Sequence, residues 1–91
     1  MSKEDRLEVI LGKKIYEGIR SKCRGWITVN IKNDECFISI KFDDMEYSEN
    51  FYDLSDAILR GFFTADKVVD AFCYRWNNYA CQELKKKLFY E

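Results

Sequence analysis

The sequence predicts an α+β domain in which a three-stranded antiparallel meander is covered on one face by helices, in the order α-β-β-β-α-α. Three observations carry this. Residues 26–51 contain three short runs in which apolar and polar residues alternate, the period of a half-buried strand. Apolar residues recur at helical spacing on both sides of that block. Two pairs of turn-forming residues, Asn33-Asp34 and Asp43-Asp44, separate the runs.

The first helix is expected over residues 3–22. Ser2 stands three residues before Asp5 in the spacing of a capping box, and Leu7, Ile10, Leu11, Ile15 and Ile19 share a stripe. Gly18 interrupts that stripe, which lowers helix stability but admits close approach by another element. Arg24-Gly25 then turns the chain. The strands follow at 26–32, 36–42 and 45–51. Two-residue turns pair Ile31 with Cys36, Val29 with Ile38 and Ile27 with Ile40, then Phe42 with Met45 and Ile40 with Tyr47. All of these residues then fall on one face, and Lys41 lies opposite Glu46 on the other. A one-residue slip in either hairpin destroys this agreement. Glu49 is the single misfit, a charge on the apolar face.

Asp53 or Ser55 is expected to cap a short helix through Ile58 and Leu59, ended by Gly61. Thr64 caps the last helix, which carries Val68, Phe72, Trp76, Ala80, Leu84 and Leu88, one every four residues. That step drifts around a helix of 3.6 residues per turn. From 65 to 90 the helix spans about 39 Å, whereas a strand of five to seven residues reaches only about 17–24 Å. Either the helix breaks near Asn77-Asn78 or its end overhangs the sheet.

Ninety-one residues, 47% apolar and 16% aromatic with no Pro and 4 Gly, describe one packed domain over 1–91 with little room for linkers. No apolar run approaches the roughly 20 residues that span a bilayer, so no membrane association is expected. The opening Met-Ser-Lys-Glu-Asp-Arg lacks the apolar core of a secretion signal, so a cytoplasmic location is expected. The four cysteines, at 23, 36, 73 and 81, form no CxxC pair, and there is no His. They read as reduced, small apolar side chains, with no metal site.

Catalysis is not expected. The commonest general base is missing, the glycines are too scattered for a phosphate loop, and no cysteine has an evident activating base. Asp43-Asp44 reads as a solvated turn rather than an acid pair, and no cofactor is implied.

Charge is more informative. The net charge is only −1. Residues 34–56, however, carry Asp34, Glu35, Asp43, Asp44, Glu46, Glu49, Asp53 and Asp56 against the single base Lys41, a local charge of −7. These acids are expected along one edge and end of the sheet. There they discourage edge-to-edge aggregation or meet a basic partner. The partner-binding candidates are Asp43, Asp44, Glu46, Glu49 and Asp53. Bases concentrate in the terminal helices, and Lys13, Lys14, Arg20, Arg24, Lys85, Lys86 and Lys87 are the alternative candidates for phosphate contacts. Trp26 and Phe37 on the polar sheet face can stack on bases or anchor a protein. Some cover for these two rings is expected, from Phe89 and Tyr90 folding back or from a second subunit.

The order α-β-β-β-α resembles that of double-stranded-RNA-binding domains. In that family, however, a basic Lys-Lys-x-Ala-Lys-type segment opens the final helix, where this chain has Thr64-Ala65-Asp66-Lys67-Val68. A Gly-Pro-x-His-type loop joins the family's first two strands, where this chain has Asn33-Asp34, so the RNA-binding activity does not carry over. The full order with its acidic sheet segment is similar to small phage-encoded anti-CRISPR proteins. The chain also looks like the short Lys-, Asp-, Tyr- and Asn-rich accessory proteins of Firmicute prophages and mobile elements. That resemblance implies an inhibitor occupying the DNA site of a nucleic-acid-processing protein. The expected function is therefore a non-enzymatic interaction protein with a basic protein partner. The alternatives are a small nucleic-acid-binding or regulatory domain, and a homodimer joined through the last helix at Trp76, Leu84, Leu88 and Phe89.

Overall fold

Both hairpins turn on residues held in the left-handed backbone region, at Asn33 (φ 54°) and Asp34 (φ 63°) in the first and Asp43 (φ 58°) in the second. Asn and Asp tolerate this conformation better than other side chains, and the pair at 33–34 has the signs of a type I′ hairpin turn. In a computed structural model that describes the backbone of residues 3–90 and the side chains of residues 8–88, these turns join β1 (Trp26–Lys32), β2 (Glu35–Phe42) and β3 (Met45–Phe51) into one sheet of order β1-β2-β3. The expected register is the one found. Ile31 pairs with Cys36, Val29 with Ile38, Ile27 with Ile40, Ile40 with Tyr47 and Phe42 with Met45. The chain is α+β, with α1 (Lys3–Lys22) before the sheet and α2 (Leu54–Leu59) and α3 (Ala65–Tyr90) after it.

Helices α1 and α3 cover the apolar face together. Ile15 and Ile19 from α1, Cys36, Ile38 and Ile40 from β2, and Phe72 from α3 are wholly buried, and one continuous core includes them all. Each such large side chain contributes about 1.5–3 kcal/mol through removal from water. Tyr47 lies against Phe72 (ring centroids 5.6 Å apart) and Tyr79 (5.4 Å), tying β3 to α3. Close approach of the helices depends on Gly18, where an added Cβ would stand 2.7 Å from Val69 Cγ2. The close neighbour is thus a side chain of α3. Gly25 (φ 139°) takes the chain from α1 into β1, and a Cβ there would meet the Lys41 carbonyl oxygen at 2.7 Å.

Several expectations need correction. Ile10 is exposed, as is Val9, so among the described side chains the buried stripe of α1 begins at Leu11. The Ser2 cap and the side chains of Asp5 and Leu7 lie outside the described residues. Asp53 does not cap α2 through its side chain, and it holds a left-handed φ of 56°. The cap comes instead from the first hairpin turn. Asp34 Oδ1 accepts from the Ser55 N–H and hydroxyl, both at 2.7 Å, and the Asp34 carbonyl accepts from Leu54 N–H. Thr64 does cap α3, accepting from Lys67 N–H at 3.2 Å.

Helix α3 runs unbroken through Asn77-Asn78, so its end overhangs. Val68, Phe72 and Trp76 are buried, Ala80 is half-buried, and Leu84 and Leu88 are exposed. The drifting stripe leaves the sheet as the helix outruns it, and the molecule is 52 Å long but only 23 by 21 Å across.

The two glycines of α1 should respond oppositely to alanine. A Cβ at Gly12 meets only Ile31 Cδ1, at an ordinary 3.7 Å, so Gly12→Ala should gain about 0.5–1 kcal/mol in urea unfolding. At Gly18 overpacking against Val69, about 1–3 kcal/mol, should cancel or reverse that gain. An equal gain at both sites would mean that α1 and α3 are further apart than described.

Candidate interaction surface

The sheet alternates strictly, so the face turned away from the helices holds the other half of every strand. Three cross-strand rungs cross it: Trp26–Lys41–Glu46, Thr28–Ser39–Ser48 and Asn30–Phe37–Asn50. Within the single chain Trp26 is 79% exposed and Phe37 40%; the side chains of Phe89 and Tyr90, expected as cover, lie outside the described residues. Tyr52, just past β3, is a third exposed ring, and its hydroxyl lies 3.4 Å from Asn50 Nδ2. Sequence reasoning passed over Tyr52, although its even position continues the parity of Glu46, Ser48 and Asn50. Rigid aromatic rings among polar groups suit protein recognition, because they offer large contact area with little entropy to lose.

The acids do not gather along one edge and end. The register divides them between opposite ends of the sheet. Asp43, Asp44 and Glu46 lie at the β2–β3 turn, and Asp34, Glu35, Asp53 and Asp56 at the other end. Several are used internally. Asp44 accepts an ion-paired hydrogen bond from the Lys87 amine, and Asp56 pairs with Arg60 at 3.1 Å. Glu49 points under the sheet, its side chain only 13% exposed. One of its oxygens accepts from Arg75 Nη1 at 2.6 Å and the other from the Tyr47 hydroxyl. Burial first, and then this hydrogen bond, push the Tyr47 phenol up to about 12. The misfit at Glu49 is thus a tie between β3 and α3, with its partner 26 residues away in the chain. Asp43, Glu46 and Asp53 are exposed and are the candidate acids directed to solvent.

The bases are similarly divided. Lys86 lies 3.4 Å from Glu83 and Lys87 is engaged with Asp44, while Lys85 is exposed. Lys13, Lys14, Arg20 and Arg24 are exposed but do not converge on one site. Lys13 lines a cleft with Glu8, Lys14 one with Glu17, Asp66 and Asp70, and Arg20 one with Tyr16 and Trp26. Of the suggested dimer seam, Trp76 belongs to the domain's own core, Leu84 and Leu88 are exposed, and the Phe89 side chain lies outside the described residues.

All four cysteines are free. Burial pushes the Cys36 thiol up to about 11, which keeps it protonated at neutral pH. Cys23 Sγ and Cys73 Sγ are 3.4 Å apart, a proximity that spacing in the sequence gave no means of finding. Among the described residues, no group of three His, Cys, Asp or Glu side chains is placed to hold a metal ion, and no helix is long and apolar enough to cross a membrane. Compared with known protein families, curated proteins and solved structures, the chain has no match.

The Lys87 hydrogen bond, with its charge, holds the Asp44 carboxyl below its ordinary value of 3.8. A depressed folded-state pKa contributes stability above the ordinary value and loses it as pH falls through the lowered one. In an NMR titration Asp44 should therefore titrate below 3.8 and return towards it in Lys87→Met. An unchanged Asp44 midpoint in that variant would show that the end of α3 does not reach the turn.

Proposed function

We propose that this chain is a non-enzymatic interaction protein whose open sheet face docks onto a basic, nucleic-acid-processing protein. The observation that carries the reading is the uncovered face itself, with exposed Trp26, Phe37 and Tyr52 among polar side chains, of which Lys41 and Glu46 in the Trp26 rung are charged. Trp and Tyr recur among the residues that dominate binding energy at protein interfaces. Asp43, Glu46 and Asp53 stand around this face, where carboxylates steer a cationic partner and fix its orientation. Asp44 and Glu49 contribute less in this reading, since Lys87 and Arg75 already engage them.

Size bears on the footprint. Seven residues by three strands give a backbone plane of roughly 23 by 14 Å, well short of the roughly 800 Å² that each partner buries in a standard interface. The contact therefore extends past the rungs to the turns at both ends, where the exposed acids are. The similarity in element order to anti-CRISPR proteins suggests a partner whose DNA-binding groove the acids would occupy.

A second reading is favoured by one local feature. Arg20 shares a cleft with Trp26, and Lys41 is Trp26's cross-strand partner. A ring between two cations suits the stacking of a base beside its phosphate.

Binding to a basic nucleic-acid-processing partner should weaken with added salt. It should fall at least tenfold in the double variant Asp43→Lys/Glu46→Lys and roughly 30-fold in Trp26→Ala, with Asp44→Asn affected less. Unchanged binding after the charge reversal would defeat the acidic-surface reading. A low-salt gel shift with single-stranded probes, lost in Trp26→Ala, would support the second reading instead.

A further inference from the structure

Cys23 and Cys73 are 50 residues apart in the chain and meet where the end of α1 abuts α3. Cys23 follows the last residue of α1, with its N–H bound to the Ile19 carbonyl at 2.8 Å. Cys73 lies within α3, one turn after Val69, the residue that packs on Gly18. The junction is held from outside by the Lys22–Asp70 ion pair, at 2.6 Å. Both sulfurs are buried, and the Cys23 thiol donates to Cys73 Sγ at 3.4 Å. Cys23 also lines a cleft of about 190 Å³ with Arg24, Phe42, Met45, Trp76 and Leu84. Cys23 is therefore at the border of the core, 9% exposed beside this cleft.

We propose that Cys23 and Cys73 are a redox-active dithiol, which a small-molecule disulfide oxidises to an intramolecular bridge fastening the end of α1 to α3. The Cys23 thiolate attacks one sulfur of the small disulfide. That breaks the S–S bond, expels one thiolate and leaves a mixed disulfide on Cys23. Cys73, giving its proton to the released thiolate, then attacks Cys23 Sγ and expels the second thiolate, which takes up the proton lost from Cys23. Two protein thiols are oxidised by two electrons and one small disulfide is reduced to two thiols. The sulfurs must close from 3.4 Å to about 2.05 Å. Cys23 lies just outside the helix, where its backbone can adjust. Burial, and then the hydrogen bond shared with Cys23, push the Cys73 thiol up to about 12, which makes Cys73 the resolving sulfur rather than the first nucleophile. The other two cysteines provide contrast. Cys36 is wholly buried on the central strand and Cys81 is exposed on α3.

The test is incubation of the folded protein with oxidised glutathione, followed by alkylation, intact mass measurement and peptide mapping. The expected product has lost two hydrogens, carries a Cys23–Cys73 cross-link and leaves Cys36 with a free thiol. Any glutathione adduct is confined to Cys81. Closing so long a loop should raise Tm by about 10 °C, reversibly on addition of dithiothreitol. The bridge should persist in Cys81→Ser and be lost in Cys23→Ser and Cys73→Ser. Mapping of the unsubstituted protein stands even if those two variants fold poorly. Four alkylatable thiols after oxidation, an adduct at Cys81 alone, or a bridge accompanied by a fall in Tm would overturn the proposal.

Discussion

The structure depends on the register of β2 between its two neighbours. Cys36, Ile38 and Ile40 are wholly buried there, and each is matched across the sheet by a residue of the same face. Side chains alternate with a period of two, so a one-residue slip would bring Phe37, Ser39 and Lys41 under the helices and expose the three that are now buried. The turns oppose that slip, since Asn33, Asp34 and Asp43 hold left-handed conformations that neighbouring β-branched residues would resist. Everything else follows from the resulting apolar face. It must be covered, α1 and α3 are the helices long enough to cover it, and Gly18 lets them meet.

The same constraint produces the surface proposed for a partner. Two helices are occupied on one side, so the opposite side keeps its rungs open and presents Trp26, Phe37 and Tyr52. The charges divide along the same lines. Glu49 and Asp44 tie the sheet to α3 through Arg75 and Lys87, and Asp34 ties the first turn to α2. Asp43, Glu46 and Asp53 remain exposed. A segment with a charge of −7 therefore serves both the fold and the surface.

What was legible in the sequence was what is local or strictly periodic. Strand parity and turn residues gave the register, and Thr64 announced the start of α3. What was hidden depended on distant partners. Glu49 looked like a flaw because Arg75 is on another element, and Asp53 looked like a cap because Asp34, which reaches Ser55 from 21 residues away, is invisible to a local reading. Ile10 matched the helical stripe, yet it is 52% exposed, while its neighbour Leu11 packs against the core. The acids seemed to form one cluster because they are contiguous in the chain. An antiparallel strand carries contiguous residues to opposite ends of a sheet, and Asp43 and Asp53 are separated by the whole length of β3.

The helices cover one sheet face and leave the other open. Trp26 and Trp76 report on the two faces separately, since one is 79% exposed and the other 5%. In a Trp76→Phe protein the remaining fluorescence comes from Trp26. Its emission should be solvent-like, quenched by acrylamide as readily as free tryptophan and unchanged on dilution. Blue-shifted, shielded emission would contradict it, by showing that Trp26 is covered by the chain itself or by a second copy.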